Sequence, residues 1–252
     1  MQKLITVTTD FGDQFSGAQL KAIIASMDFH GEIIENHSVS PFAIEEGAFE
    51  IKLLTKFSPV GTVNLGVVDP GVGSERRGII AKTKSFWFVG PDNGLLYPAI
   101  ESDHLESAWQ IQENKISKEV SNTFHGRDVF IKAAVYIAQE KQPEEFGSVP
   151  INSSSLEKIS YKTGQVLHID SFGNIKVYWP NEIKIGKRLI IKNERLKFEL
   201  PIVKTFSDVS PGKPLAVIGS SYTLELAVNL DNAAKTLGIN NTDILDIAYK
   251  ID

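Results

Sequence analysis

Strand-like and helix-like hydrophobic patterns alternate through the first half of this chain. Short apolar runs occupy 4–8, 62–68, 79–82 and 86–89, each bounded by polar or turn residues, as buried strands are. Between them, apolar positions recur at helical spacing. Leu20, Ile23, Ile24 and Met27 form one such stripe, Ile44, Ala48 and Ile51 begin another, and Phe130, Ala133, Ala134 and Ile137 form a third. Strands interleaved with helices predict a layered α/β domain. The charged segments 103–106 and 113–118 read as exposed connections.

From 141 to 160 the texture changes. Pro143, Gly147, Pro150 and the serines 153–155 interrupt any periodicity, the pattern of a linker. Beyond it, short β-like runs at 165–170, 175–178, 188–191, 196–200 and 215–218 are separated by closely spaced turns. They predict a small barrel-like β domain. A last helix from about Asn232 to Leu237 is expected to stop at Gly238, a favoured residue just past a helix end. The expected division is an α/β domain over 1–145 and a β domain over 160–252, with no internal repeat.

Composition narrows this little. The 252 residues contain no cysteine, so disulfides and thiolate chemistry are excluded. No apolar run reaches the roughly 18 residues of a membrane helix. The N-terminal residues read as a first buried strand and not as a signal peptide, which makes the cytoplasm the simplest compartment. A net charge of −5 argues against nucleic acid as a partner. No metal-ligand set with convincing spacing is present.

Two segments carry candidate chemistry. In Val67-Val68-Asp69-Pro70-Gly71-Val72-Gly73-Ser74-Glu75-Arg76-Arg77 an acid ends a strand, a glycine-rich turn follows, and two arginines come within eight residues. Strand ends of α/β proteins face the ligand crevice, and glycines let a backbone approach a ligand. A salt-bridged loop would look the same. In Thr123-Phe124-His125-Gly126-Arg127-Asp128, His125 precedes a helix start. The positive end of the helix there disfavours imidazolium, which suits a proton acceptor near neutral pH; a structural histidine bonded to a loop carbonyl is the alternative.

With these segments in place, the chain resembles the adenosine-forming S-adenosylmethionine hydrolases, also called SAM hydroxide adenosyltransferases, relatives of the fluorinases and chlorinases. The matching pieces are Thr8-Thr9-Asp10-Phe11-Gly12, Ser40-Pro41-Phe42 with Glu46-Gly47-Ala48, residues 68–77, Val89-Gly90-Pro91-Asp92-Asn93-Gly94-Leu95-Leu96, residues 123–128, Asp170-Ser171-Phe172-Gly173-Asn174, and Gly219-Ser220-Ser221 with 224–229. Each is weak alone, and their joint order is specific.

The resemblance implies hydrolysis of S-adenosylmethionine to adenosine and methionine, with no cofactor. Asp69 and Arg76 would orient and polarise the water and His125 would act as base or relay, with Arg77 the competing arginine. Asp10 would take the ribose hydroxyls and Phe42 would wall the reacting carbon. Asp170 and Ser220 would hold the methionine end, and Asn174 would read adenine with Phe172 and Phe206 stacked near it. The family also implies a homotrimer with sites between subunits. Phe86, Trp87, Phe88 and the 91–94 loop would face a neighbour or belong to strand core.

The halogenating relatives carry neutral residues where Asp69 and Arg76 stand, and a desolvated carboxylate would repel a halide. Halogenation is therefore the poorer reading, and a non-catalytic S-adenosylmethionine or adenosine sensor is the other alternative. Departures from the family pattern touch the substrate pocket. They are a shortened first loop (Asp13-Gln14-Phe15-Ser16-Gly17), Leu20-Lys21-Ala22, Ile34-Glu35-Asn36-His37, Ala43 and Tyr222-Thr223.

Overall fold

A computed structural model describes residues 3–12, 14–192 and 197–250. Asp13 of the shortened loop and Leu196, the first residue of one expected strand, lie outside the described residues. The chain divides into two compact units, Met1–Ile159 and Ser160–Asp252.

The first unit is a seven-stranded sheet with helices on both faces. Its strands are β1 (Leu4–Thr9), β2 (Glu32–Asn36), β3 (Val63–Val67), β4 (Gly78–Thr83), β5 (Trp87–Pro91), β6 (Leu105–Gln110) and β7 (Val149–Ile151), in the order β2-β1-β3-β5-β4-β6-β7. The first four in that order run parallel, and β4, β6 and β7 join antiparallel. Every residue of β1 and β3 is buried, as parallel strands covered on both faces require.

The helices are α1 (Gln14–Ser26), α2 (Ile44–Thr55), α3 (Tyr97–Ser102), α4 (Glu113–Ile116) and α5 (Ile131–Ala138), the last entered through a π-helical turn, Gly126–Phe130. Successive side chains of a strand point to opposite faces, and this sorts the core into two layers. Ile80 and Val89 join Leu20, Ile24, Phe130 and Ala134 from α1 and α5. Their neighbours Ile79, Ala81 and Phe88 join Ala48, Ile51 and Ile100 from α2 and α3. Phe88 is thus strand core, and Trp87 stacks on Trp109 of β6.

Three sequence expectations need correction here. Of the expected connection 103–106, Leu105 and Glu106 instead begin strand β6, whose Ala108 and Trp109 are buried. Glu113–Ile116 forms a helical turn anchored by buried Ile116. The 141–160 stretch is not a loose linker. Pro143 opens a 3-10 turn that Gly147 ends in the left-handed conformation, and β7 pairs with β6 through Trp109 and Pro150. Proline punctuates a linker and an edge strand alike, so composition could not tell them apart.

The strand ladders of the second unit are antiparallel. β8 (Val166–Ile169), β9 (Ile175–Val177), β12 (Pro214–Ile218) and β13 (Leu224–Val228) form one sheet, ordered β12-β13-β9-β8. β10 (Arg188–Lys192), β11 (Lys197–Pro201) and β14 (Asp246–Tyr249) form the other, ordered β11-β10-β14. Both contribute to one core that includes Ile175, Leu189, Leu200, Leu226 and Ile247. The expected barrel-like β domain takes the form of two antiparallel sheets, joined by isolated bridges such as Ile202 to Ala216. Strands as short as three residues (β9) sustain a ladder over only a few pairs. Helix α6 (Ala233–Leu237) begins where the Asn232 side chain accepts from the Lys235 amide and ends at left-handed Gly238, as the sequence predicted.

Candidate active site

Strands β1 and β3 are parallel neighbours, paired through Thr9 and Val67. The chain leaves β1 towards β2 on one side and leaves β3 towards β4 and β5 on the other. Such a divergence opens a crevice at the carboxyl ends of the strands. Asp10 directly follows β1 and Asp69 comes two residues after β3, so both acids sit at this crevice.

Beyond Asp69 the backbone folds back on itself. The Val72 amide donates to the Asp69 carbonyl at 3.2 Å, and the Ser74 amide to the Gly71 carbonyl at 3.1 Å. This returns Arg76 to the acid. Arg76 Nε donates to both Asp69 carboxylate oxygens at 3.0 Å, and Nη2 donates to Oδ2 at 2.6 Å. The two side chains retain 10% and 6% exposure, so the pair is shielded and its charge-assisted bonds are of the strong kind.

His125 completes the group. Its Nδ1 lies 2.9 Å from Arg76 Nη2, and the ring is buried. Phe130 forms a common floor, with the Arg76 guanidinium 5.1 Å from its ring centroid and His125 edge-on to it. The rest of the 123–128 motif braces this arrangement. Asp128 accepts the Ser121 amide and pairs with Arg127, which also reaches Gln19 of α1 at 3.0 Å. Burial pushes the Asp128 carboxyl up, but the bonds from Arg127 and Ser121 prevail and hold it below the usual carboxylate range. Gly126 packs against Phe11, which lies edge-on to Phe124.

Of the two adjacent arginines, Arg76 is the one that meets Asp69. Arg77 turns away from Asp69 and pairs with buried Asp92 at 2.5 Å while also donating to the Ser155 carbonyl at 2.6 Å. Asp92 accepts the Glu157 amide as well, and Asn93 donates to the Val68 carbonyl at the end of β3. The 91–94 motif is therefore scaffolding for the strand that presents Asp69.

Asp10 Oδ2 accepts the Phe42 amide at 2.8 Å. Phe42 is 72% exposed and held at φ +65, a conformation that costs a side-chain-bearing residue energy and gathers at functional sites. One residue that the sequence reading missed belongs to the group. Glu113 of α4 places Oε1 3.2 Å from His125 Nδ1 and 3.8 Å from Arg76 Nη1. No local signal marked it, because a glutamate in a charged segment normally reads as solvated surface.

The second unit gathers the other expected residues separately. Asp170 organises the 170–174 turn, accepting the amides of Phe172 and Asn174, the Asn174 side chain and the Lys176 ammonium. Burial works against its ionisation, but the Asn174 and Lys176 interactions outweigh it and hold the carboxyl below its ordinary value. Phe172 is 77% exposed, and Phe206 and Ser220 are also exposed. Next to them, buried Glu225 lies opposite Lys176 in the strand register, 3.8 Å from its ammonium.

Comparison with known proteins matches both units to one family. The SAM hydroxide adenosyltransferase N-terminal domain model covers residues 5–147 and the C-terminal domain model covers 164–246. A (R)-S-adenosyl-L-methionine hydrolase from Methanocaldococcus jannaschii is 33% identical over 98% of this chain and 96% of the relative. One from Thermus thermophilus is 31% identical over 88% and 90%, whereas an Actinoplanes fluorinase is 27% identical over 90% and 91%. An uncharacterized conserved protein from Thermotoga maritima superposes with a TM-score of 0.88 at 30% identity, over 97% of this chain and all of that one.

Proposed function

Because the chain belongs to the SAM hydroxide adenosyltransferase family, we propose that it hydrolyses S-adenosyl-L-methionine to adenosine and L-methionine. The observation that carries this reading is the contiguous set Asp69, Arg76 and His125, drawn from two segments 49 positions apart. The sulfonium substrate brings its own leaving group, a neutral thioether, so nothing need activate departure. The protein's task is to hold a water in line with the C5′–S bond and take its proton.

In this reading Asp69 accepts one water hydrogen while Arg76 fixes the carboxylate in place. His125 takes the other proton as the oxygen bonds to C5′ and the C5′–S pair passes to sulfur. Placing the water at attack distance supplies several kcal/mol of the barrier, and a positioned base contributes about 10²–10⁴-fold. A desolvated carboxylate at the attack position disfavours a halide, which supports hydrolysis over halogen transfer.

Asp10, beside Phe42, takes the ribose hydroxyls, since a carboxylate accepts two such bonds. The 170–174 turn with Ser220 and Phe206 takes the adenine and methionine ends. The exposed aromatics Phe42, Phe172 and Tyr222 support a homotrimer that covers them. Among the described residues no helix is long and apolar enough to cross a membrane, and we place the enzyme in the cytoplasm.

The names of the hydrolase relatives specify the (R) form. The L prefix already fixes the α-carbon, so the (R) label belongs to the sulfonium centre, and we extend that preference to this protein. The test is chromatography of each sulfonium epimer incubated with the purified protein, with and without chloride, beside Asp69→Ala. Chloride-independent adenosine, faster from the (R) epimer and absent with the variant, supports the reading. Binding without product would leave a sensor, and a 5′-chloro nucleoside would leave a halogenase.

A further inference from the structure

The Nδ1 atom of His125 is approached by two groups with opposite demands. Arg76 Nη2 stands 2.9 Å away and Glu113 Oε1 stands 3.2 Å away. A guanidinium only donates and an ionised carboxylate only accepts, so one nitrogen cannot satisfy both at once. If Nδ1 keeps its lone pair for Arg76, the neutral ring carries its proton on Nε2 and has no vacant lone pair for a reacting water. If Nδ1 carries the proton and donates to Glu113, the Nε2 lone pair is vacant.

We infer that Glu113 is a positioning residue that holds His125 in its proton-accepting tautomer and steadies the imidazolium formed when the proton arrives. The inference rests on the hydrolase reading above. Arg76 loses little in that state, because its Nε and Nη2 remain bonded to Asp69. Its Nη1 is buried without a hydrogen bond among the described residues and faces the same Glu113 oxygen at 3.8 Å. The second carboxylate therefore answers both cations of the site.

The local fold supports this placement. The Ser117 amide donates to the Glu113 carbonyl at 3.0 Å, and buried Ile116 anchors the turn. The Glu113 side chain is 34% exposed and borders an open cavity of about 500 Å³, which Arg76, Glu75, Arg77 and Lys118 also line. Arg76 from the segment before β4 and Glu113 from α4 are the charged groups that face the ring among the described residues; Asp69 acts on it through Arg76. Phe130 on the histidine's own helix is apolar.

In the reaction, a water proton passes to His125 Nε2 as the C5′–O bond forms and the C5′–S electron pair goes to sulfur. A carboxylate at Nδ1 favours the protonated ring. Removing its charge should therefore move the acid limb of the kcat profile to lower pH.

The test combines nitrogen-15 NMR of the His125 ring with kcat against pH, in the wild type, Glu113→Gln and Glu113→Ala. Expected are a proton on Nδ1 in the wild type, a shift towards Nε2–H in the variants, and an acid limb displaced downwards. The kcat at neutral pH should fall about tenfold with KM changed less than twofold. The same tautomer in all three proteins, or an unmoved acid limb, overturns the assignment. Failure of the hydrolase reading shows differently, as no adenosine from the wild type, and the NMR comparison then decides the Glu113 assignment alone.

Discussion

Gly73 lies directly against the carbonyl of Asn122: a Cβ on Gly73 would stand 2.4 Å from that oxygen. The glycine also has φ +76. This contact presses the turn that follows Asp69 onto the residue three positions before His125. It is the seam along which the two halves of the candidate site meet.

Gly73→Ala should accordingly damage both stability and turnover. The left-handed backbone alone costs an alanine about 1–2 kcal/mol, and the overlap with a backbone oxygen adds to it because no flexible side chain can yield. A lower Tm together with a lower kcat is expected. Unchanged values in both would mean that the seam is not where the triad is aligned.

Arg76→Lys tests the fork rather than the charge. Lysine brings a point charge on a flexible stem, and it cannot hold Asp69 through two nitrogens in a fixed fork. The expected result is a kcat loss of at least tenfold with folding retained. His125→Ala should cost about 10²–10⁴-fold, the usual contribution of a positioned base. Adenosine production followed by chromatography reads both, and near-normal kcat in either variant counts against the assigned roles.

Arg77→Ala should behave in the opposite way. Its partner Asp92 is buried and the same guanidinium holds the Ser155 carbonyl. Truncation leaves a buried carboxylate short of a partner, which costs about 1–3 kcal/mol. Denaturant unfolding should show that loss while kcat per folded molecule stays close to wild type. A large fall in kcat without loss of stability would return Arg77 to the site.

Glu225 offers a pH test in the second unit. Burial pushes its carboxyl up, Lys176 partly opposes this, and the nearby Asp170 adds to the rise. Such a group favours the folded state most below the ordinary glutamate value, and that contribution is lost as pH rises through the elevated folded value. Asp170, whose carboxyl is held low, contributes above its ordinary value and loses that contribution as pH falls. Glu225→Gln should therefore flatten the decline in stability above about pH 4.5, the ordinary glutamate value, as measured by Tm across that range. An identical slope in the variant would refute the assignment.

Much of the architecture was written in local pattern. The apolar runs of β1, β3 and β5 and the stripes of α1, α2 and α5 are strong because those elements are buried along a whole face. Asp69, Arg76 and His125 were legible as candidates because an acid at a strand end and a histidine at a helix start stand among turn glycines and charged residues. Among the elements the sequence pattern did not predict, β6, β7 and the α4 turn have few buried residues and much charge or proline, so their local sequence resembles loop; β2, α3, β13 and β14 were not anticipated either.

What the sequence determined by itself was the strongly patterned elements, the family likeness and the residue types available for catalysis, since periodicity and motif order depend only on neighbours along the chain. The tertiary structure decided which arginine meets Asp69, that Glu113 stands beside His125, and that the second unit forms two antiparallel sheets. Those are contacts between residues 7, 12 and more positions apart. Their geometry comes from packing on Phe130, from the Gly73 seam and from strand register, none of which a local pattern records.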